Sequence, residues 1–443
     1  MNKLALIAVI LIAAVCISCG VRILDRTELP ADTEPLPEDP AEPEPEEPDE
    51  EPPPEEEPEE IPEMTILIYM SGDNNLEDQA AADLDEIENA AIQPEQITIL
   101  ILSDRRFPGS TELLLKTPDG LETVRNAPFC PPGTELNLGS SIVLREFLRY
   151  GRETFPAEEY GLILWGHGSG IRPAGVTGGE KTYCPDVAAR GDGLDIPEIS
   201  RALAGIGPDL IVFDASYAGM IETAYELRNI SRVMAGPEGR MPEEGIPYGE
   251  YFSRLSGSGE ISAESAGVLA GEVCLERYGS YPGFAYGVFD LAVIDELAVR
   301  FNELAGLLYS ICAEPDARDR IRTVLFRRTA GFYEIPGDLN LDIKHLCSLL
   351  AEEFPEIKPK TDELLRVLDR ALLFGGAHHE MPGPLGLLSV HLVPLDPSGF
   401  PARHYPEYFR NFPVEIPMAF VSDSEWVPCY PEGPGFLYRI WYE

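Results

Sequence analysis

Short apolar runs separated by helical stripes recur along most of the chain. Residues 65–70 (Thr-Ile-Leu-Ile-Tyr-Met) read as a buried strand that stops at Ser71-Gly-Asp-Asn-Asn75, a turn rich in residues that tolerate left-handed backbone. Ala80, Leu84, Ile87 and Ala91 then recur at helical spacing, and 97–102 (Ile-Thr-Ile-Leu-Ile-Leu) is the next strand. Strand, helix and strand of these lengths predict a parallel sheet covered on both faces. The alternation at 112–116 reads as a hairpin arm, and 140–150 returns to helical spacing. A third strand, 162–165 (Leu-Ile-Leu-Trp), ends in Gly166-His167-Gly168. Asp195-Ile-Pro-Glu198 has the form of a capping box with proline in the first turn, and opens a helix through Leu203. Further strands are expected at 210–213, 284–289 and 387–393, with helices over 291–308 and 360–373. The pattern is that of an α/β domain built on a mostly parallel six-stranded sheet.

The pattern changes at the N-terminus. Lys3 precedes a 12-residue apolar run, 4–15, which is too short to span a bilayer and suits the core of an export signal. It ends in Cys16-Ile-Ser-Cys-Gly20, which resembles the lipobox of bacterial lipoproteins. That resemblance implies cleavage before Cys19, lipidation of its sulfur, and a chain anchored by lipid to a membrane of the cell envelope. An ordinary cleaved signal is the alternative, and it too implies export. Residues 1–19 are thus expected to be a signal and 20–63 a tether. Between Glu28 and Glu63 lie 18 acidic residues, 12 prolines and no Lys or Arg. Such a composition has no core to bury, and at about 3.1 Å per residue it spans roughly 110 Å.

The tether carries about two fifths of a formal net charge of −44, and so acidic a chain disfavours nucleic acid as a partner. Removing Cys16 and modifying Cys19 leaves Cys130, Cys184, Cys274, Cys312, Cys347 and Cys429. Six cysteines in an exported chain permit up to three disulfides, although Cys274, Cys312 and Cys347 sit in apolar helical patterns and read as small core residues. No cysteine–histidine cluster has zinc spacing.

The candidate chemistry lies at two strand ends. Tyr160-Gly-Leu-Ile-Leu-Trp-Gly-His-Gly-Ser-Gly170 presents His167, and Asp209-Leu-Ile-Val-Phe-Asp-Ala-Ser-Tyr-Ala-Gly-Met220 presents Ser216, 49 residues later. In an open α/β sheet, sites form at the carboxyl ends of strands. His167 is a candidate base, Ser216 a candidate nucleophile, and the amides of Gly168 and Ser216 are candidate oxyanion donors. Taken singly, a histidine after a strand and a serine in a turn are as readily structural; the pairing raises both.

The two segments, with Thr65-Ile-Leu-Ile-Tyr-Met-Ser-Gly-Asp-Asn-Asn-Leu76, Gly193-Leu-Asp-Ile-Pro-Glu-Ile199 and Pro242-Glu-Glu-Gly-Ile-Pro-Tyr248, resemble the clostripain family of cysteine peptidases over most of 64–443. The resemblance implies a caspase-like three-layer fold for 64–443, with His167 as catalytic histidine and Gly168 as oxyanion donor. It puts Asp214 at the base of the pocket that selects Arg or Lys, so peptide segments bearing those residues are the expected partners. A carboxylate there can pair bidentately with guanidinium. Calcium dependence is known within the family, but the sequence holds no recognisable calcium loop, so no cofactor or metal residue is assigned.

The departure is Ser216, where the family carries cysteine. A cysteine beside histidine is partly thiolate at neutral pH, whereas a serine hydroxyl must lose its proton during attack to a well-oriented base. The leading expectation is an impaired peptidase homologue that still binds basic segments. An active endopeptidase using Ser216 with His167, and a purely structural surface protein, are the alternatives. Lys181 and Arg190, in the Gly-rich stretch 168–193, are the candidate positions for self-cleavage.

Overall fold

The computed structural model describes residues 61–106, 111–171, 183–325, 329, 331–332, 340–392 and 440. The chain divides into two units, Met1–Pro58 and Glu59–Glu443, and the described residues belong to the second. The expected signal, Cys19, the tether before residue 61, Lys181 and Cys429 lie outside them.

In chain order the strands are β1 (Met64–Gly72), β2 (Ile97–Arg105), β3 (Glu112–Thr117), β4 (Gly120–Thr123), β5 (Glu159–Trp165), β6 (Tyr183–Asp186), β7 (Asp192–Leu194), β8 (Leu210–Asp214), β9 (Val233–Pro237), β10 (Ala285–Asp290), β11 (Gly331–Phe332), β12 (Asn340–Asp342), β13 (Leu372–Ala377) and β14 (Ser389–His391). The helices are α1 (Glu77–Asn89), α2 (Ser141–Thr154), α3 (Ile196–Leu203), α4 (Ile221–Leu227), α5 (Tyr248–Ser256), α6 (Ala263–Tyr278), α7 (Ile294–Ile311), α8 (Pro315–Thr323), α9 (Ile343–Glu353) and α10 (Lys358–Ala371).

The central sheet has nine strands, in the order β13-β10-β9-β8-β5-β1-β2-β3-β4, rather than the six expected. Its middle five, β9-β8-β5-β1-β2, are parallel, with Met64 opposite both Ile97 and Glu159 and with Trp165 opposite Asp214. Antiparallel pairs flank this block on both sides. The parallel block has nearly continuous apolar sequence because both of its faces are covered. Leu67, Tyr69, Leu162, Leu164, Ile211 and Phe213 point to one face, with α2, α3, α4 and α7. Ile66, Ile68, Met70, Ile163 and Val212 point to the other, with α1, α5 and α6. The result is the expected three-layer α/β arrangement.

The expected sixth strand at 387–393 is corrected. Only Ser389–His391 is extended, and it pairs with β12 in a separate three-stranded sheet. In the central sheet the pattern missed β4, β9 and β13, and outside it the short strands β6, β7, β11 and β12. β9 is five residues ending in Gly-Pro, and β13 follows α10 directly, so its leading leucines continue the helical stripe. The disulfide expectation is also corrected: Cys130, Cys184, Cys274 and Cys347 are buried free thiols, and Cys312 is buried as well. No described helix is long and apolar enough to cross a membrane.

The capping box at α3 forms as expected. The Asp195 carboxylate accepts from Glu198 N at 2.8 Å, and the Glu198 carboxylate accepts from Asp195 N at 3.1 Å. Asp195→Ala should cost about 1 kcal/mol in urea unfolding, with Asp195→Asn recovering most of it.

Candidate active site

Because β1, β5, β8 and β9 run parallel, their carboxyl ends share one edge of the sheet, and the turns leaving them build a single cavity. It is lined by Leu76, Trp165, His167, Gly168, Asp214, Ser216, Arg240 and Glu243, among others, with a volume of ≈ 170 Å³. That lies below the roughly 300–1,000 Å³ of sites for drug-sized ligands and suits one long side chain. The four residues singled out along the two strand ends, His167, Gly168, Asp214 and Ser216, are thus brought together.

His167 leaves the end of β5, and its Nε2 lies 2.7 Å from Asn75 Oδ1. With the amide oxygen as acceptor, Nε2 carries the proton and Nδ1 is the basic nitrogen of the neutral ring. Asn75 belongs to the turn after β1, which is itself fixed: the Asn74 side-chain amide donates to Ser71 O at 2.9 Å and to Pro185 O at 3.1 Å. The His167 ring is therefore oriented by a third side chain. The Gly-Asp-Asn-Asn run was visible as a turn, but nothing in it showed that Asn75 would reach a histidine 92 positions away.

Ser216 sits at a sharp turn off β8, and the next residue, Tyr217, has φ of 61°. A bulky residue in the left-handed region is costly and has to be held there. Tyr217 is held by its N–H donating to Gly239 O at 2.7 Å and by Arg240 Nε donating to its hydroxyl at 3.2 Å. Ser216 Oγ accepts from Met241 N at 3.0 Å. The two turns touch at Gly168, where a Cβ would lie 2.3 Å from Ser216 O and 2.8 Å from Ser216 N. Any side chain at 168 would push the histidine turn off the serine turn. Among the described residues neither the Gly168 nor the Ser216 amide donates to a backbone carbonyl, so both are available to a ligand in the cavity.

Asp214, the last residue of β8, is 4% exposed. Its Oδ2 accepts from Tyr248 OH at 2.8 Å and from Ile246 N at 3.1 Å. Both bonds end on Oδ2, so Oδ1 is the oxygen left for a ligand in the cavity. At Gly245 a Cβ would come within 2.7 Å of this carboxylate, and φ there is 62°, so glycine is required on two counts. Burial raises the Asp214 pKa to about 6. Beyond it lies Asp83 on α1, which accepts from Trp165 Nε1 at 2.7 Å. Burial first, and then the Asp214 charge, raise the Asp83 pKa to about 9. At neutral pH Asp83 holds its proton and Asp214 is mostly ionised, so the cavity keeps one buried negative charge instead of two.

Cys184 is not a substitute nucleophile. It is 1% exposed, its Sγ donates to Trp165 O at 3.6 Å, and burial pushes its pKa far up. Its N–H donates to His167 O at 3.3 Å, which makes it part of the scaffold behind the histidine. Arg190 is exposed in the turn between β6 and β7.

The sequence profile described as the clostripain family matches residues 68–362 of this chain. Clostripain of Hathewaya histolytica is 25% identical over 245 residues, which are 47% of this chain and 45% of that protein. The chain thus spans just under half the length of the curated relative that it matches. Among solved structures, an inactive zymogen C11 protease from Parabacteroides distasonis has TM-score 0.61 and 18% identity, covering 82% of this chain and 98% of that one. A secreted C11 cysteine protease from Bacteroides thetaiotaomicron, in complex with an irreversible peptide inhibitor, has TM-score 0.59 and 19% identity, covering 83% and 100%. At these identities the likenesses carry the fold, which is the caspase-like one.

Replacing Asp83 by Asn keeps an acceptor for Trp165 and removes the titration. Between the unfolded carboxyl's pKa, near 4, and the folded value of about 9, wild type loses stability as pH rises, because its unfolded state binds fewer protons. Asp83→Asn should therefore melt close to wild type at pH 4 and increasingly above it towards pH 8, as read by circular dichroism.

Proposed function

The chain belongs to the clostripain family, and on that premise we propose that it is an exported, lipid-anchored peptidase homologue that binds basic peptide segments and is impaired in cleaving them. The observation that carries this is Ser216. It stands at the cavity where a thiol would be needed, with its hydroxyl oxygen already accepting from Met241 N. A backbone N–H in that position would stabilise a thiolate. It draws on the lone pairs of a neutral hydroxyl and does nothing to remove its proton. The ionised Asp214 below it supports recognition of a guanidinium or ammonium group. A secreted relative from Bacteroides thetaiotaomicron supports export, and the Cys19 segment supports anchoring by lipid.

A second reading, a working serine peptidase, is favoured by Asn75, which holds the His167 ring as the third member of a triad holds its base. Fluorogenic peptides ending in Arg or Lys separate the two. Under the leading reading wild type turns over at least about a hundredfold more slowly than Ser216→Cys, and His167→Ala abolishes the activity that the cysteine creates. Wild-type turnover lost in both His167→Ala and Ser216→Ala would overturn it.

Ligand binding should follow the Asp214 charge. The affinity of an Arg-ended peptide for wild type, measured by fluorescence anisotropy, should fall as pH is lowered through about 6 and the carboxylate takes up a proton. In Asp214→Asn this pH dependence should vanish along with most of the binding.

A further inference from the structure

Behind the Ser216 turn, two acidic side chains from distant parts of the chain meet out of reach of water. Glu238, the residue after β9, is fully enclosed, and so is Asp342 at the end of β12. Their carboxyl groups are in hydrogen-bonding contact. Two ionised carboxylates cannot make such a contact, so one of the pair carries a proton.

The surrounding donors decide which one. Asp342 Oδ1 accepts from His345 N at 2.7 Å, and its Oδ2 accepts from Gly386 N at 2.8 Å and Leu387 N at 3.0 Å. Glu238 Oε1 accepts from the Ser389 hydroxyl at 2.7 Å, while its Oε2 is inaccessible to water and meets no donor among the described residues. Three N–H groups favour the charge on Asp342, and an oxygen without a donor favours the proton on Glu238. Burial first, and then the charge of Asp342, hold the Glu238 carboxyl well above the usual carboxylate range. On α9 the other titratable groups near the pair are the Cys347 thiol, which burial keeps protonated, and His345, which meets Asp342 through its backbone N–H.

We propose that Glu238 is a positioning residue for the Ser216 turn, holding the loop after β9 in place through a proton shared with Asp342. That loop makes three contacts with the turn. Gly239 O accepts from Tyr217 N at 2.7 Å, Arg240 Nε donates to the Tyr217 hydroxyl at 3.2 Å, and Met241 N donates to Ser216 Oγ at 3.0 Å. The far end of the turn closes on the same residues. Ser389 N donates to Gly219 O at 2.8 Å, and a Cβ at Gly219 would lie 3.0 Å from Glu238 Cα and 3.1 Å from Leu387 O. An ionised Glu238 would repel Asp342 with no water between them to screen the charges. The chain pushed aside would be the one that carries the Met241 N–H. The clamp acts on position 216 whatever the cavity binds.

A thiol placed at position 216 reads the clamp directly. In Ser216→Cys the Met241 N–H favours the thiolate, so the pH at which iodoacetamide alkylates this position at half its maximal rate reports how well that N–H is held. Peptide mapping by mass spectrometry separates position 216 from the other cysteines of the full chain. Adding Glu238→Ala, with the circular dichroism spectrum unchanged, should raise this midpoint by at least about 0.5 in pH. Glu238→Gln keeps a neutral donor towards Asp342 and an acceptor for Ser389, and should leave the midpoint in place. A merely structural loss would lower the melting temperature without moving the midpoint. Should Glu238→Ala fail to fold, Ser389→Ala removes a single bond from Glu238 and should move the midpoint in the same direction.

The shared proton has a second readout, in the chain with its own serine. Wild type holds on folding a proton that the unfolded glutamate has lost, so it loses stability as pH rises above the unfolded value, and Glu238→Gln does not. The melting temperature of Glu238→Gln relative to wild type should therefore climb from about pH 5 to pH 8. Neither readout needs a bound peptide. A midpoint unmoved by the alanine variants, a midpoint moved as far by Gln as by Ala, or a melting difference independent of pH would overturn the proposal.

Discussion

The site depends on keeping one carboxylate ionised at the buried end of a parallel strand. Asp214 is where β8 runs out of sheet, and a charge there is costly unless its surroundings replace water. The Ile246 amide does so from the loop before α5 and the Tyr248 hydroxyl from the first residue of that helix, and Gly245 gives them the close approach. Asp83, on the far side, contributes by remaining neutral, with its other demand met by the Trp165 indole. The loop, α1 and the end of β5 are thus held in place by the needs of a single side chain. The serine and histidine turns are positioned by the same strands.

Sequence and structure agree where the signal is local or periodic. The apolar runs at 65–70, 97–102, 162–165 and 210–213 became the parallel core, since strands covered on both faces are continuous in composition. The Asp195–Glu198 box was readable because both partners lie within four residues. β9 and β13 were not readable. One is five residues long, and the other shares its leucines with the end of α10, so neither shows a period of its own. The segment 387–393 is apolar enough for a strand of the main sheet, but β13 takes that edge instead.

The site divides in the same way. His167, Gly168, Asp214 and Ser216 follow strand ends in recognisable company, and one cavity unites them. Asn75, Asp83, Tyr248 and Met241 act through contacts that span 25 to 92 positions, and no spacing rule reaches that far. The residues most informative about chemistry were legible; those that orient them and set their charge required the fold.

The burial of the cysteines has a consequence for the conditions under which this domain works. Cys130, Cys184, Cys274, Cys312 and Cys347 are all enclosed, and position 216 carries oxygen instead of sulfur. The described surface therefore offers no thiol for peroxide to convert to a sulfenic acid or for an alkylating agent to cap. Whatever the cavity binds, the described domain binds it as well in an oxidising environment as in a reducing one, because its site has no redox state to lose.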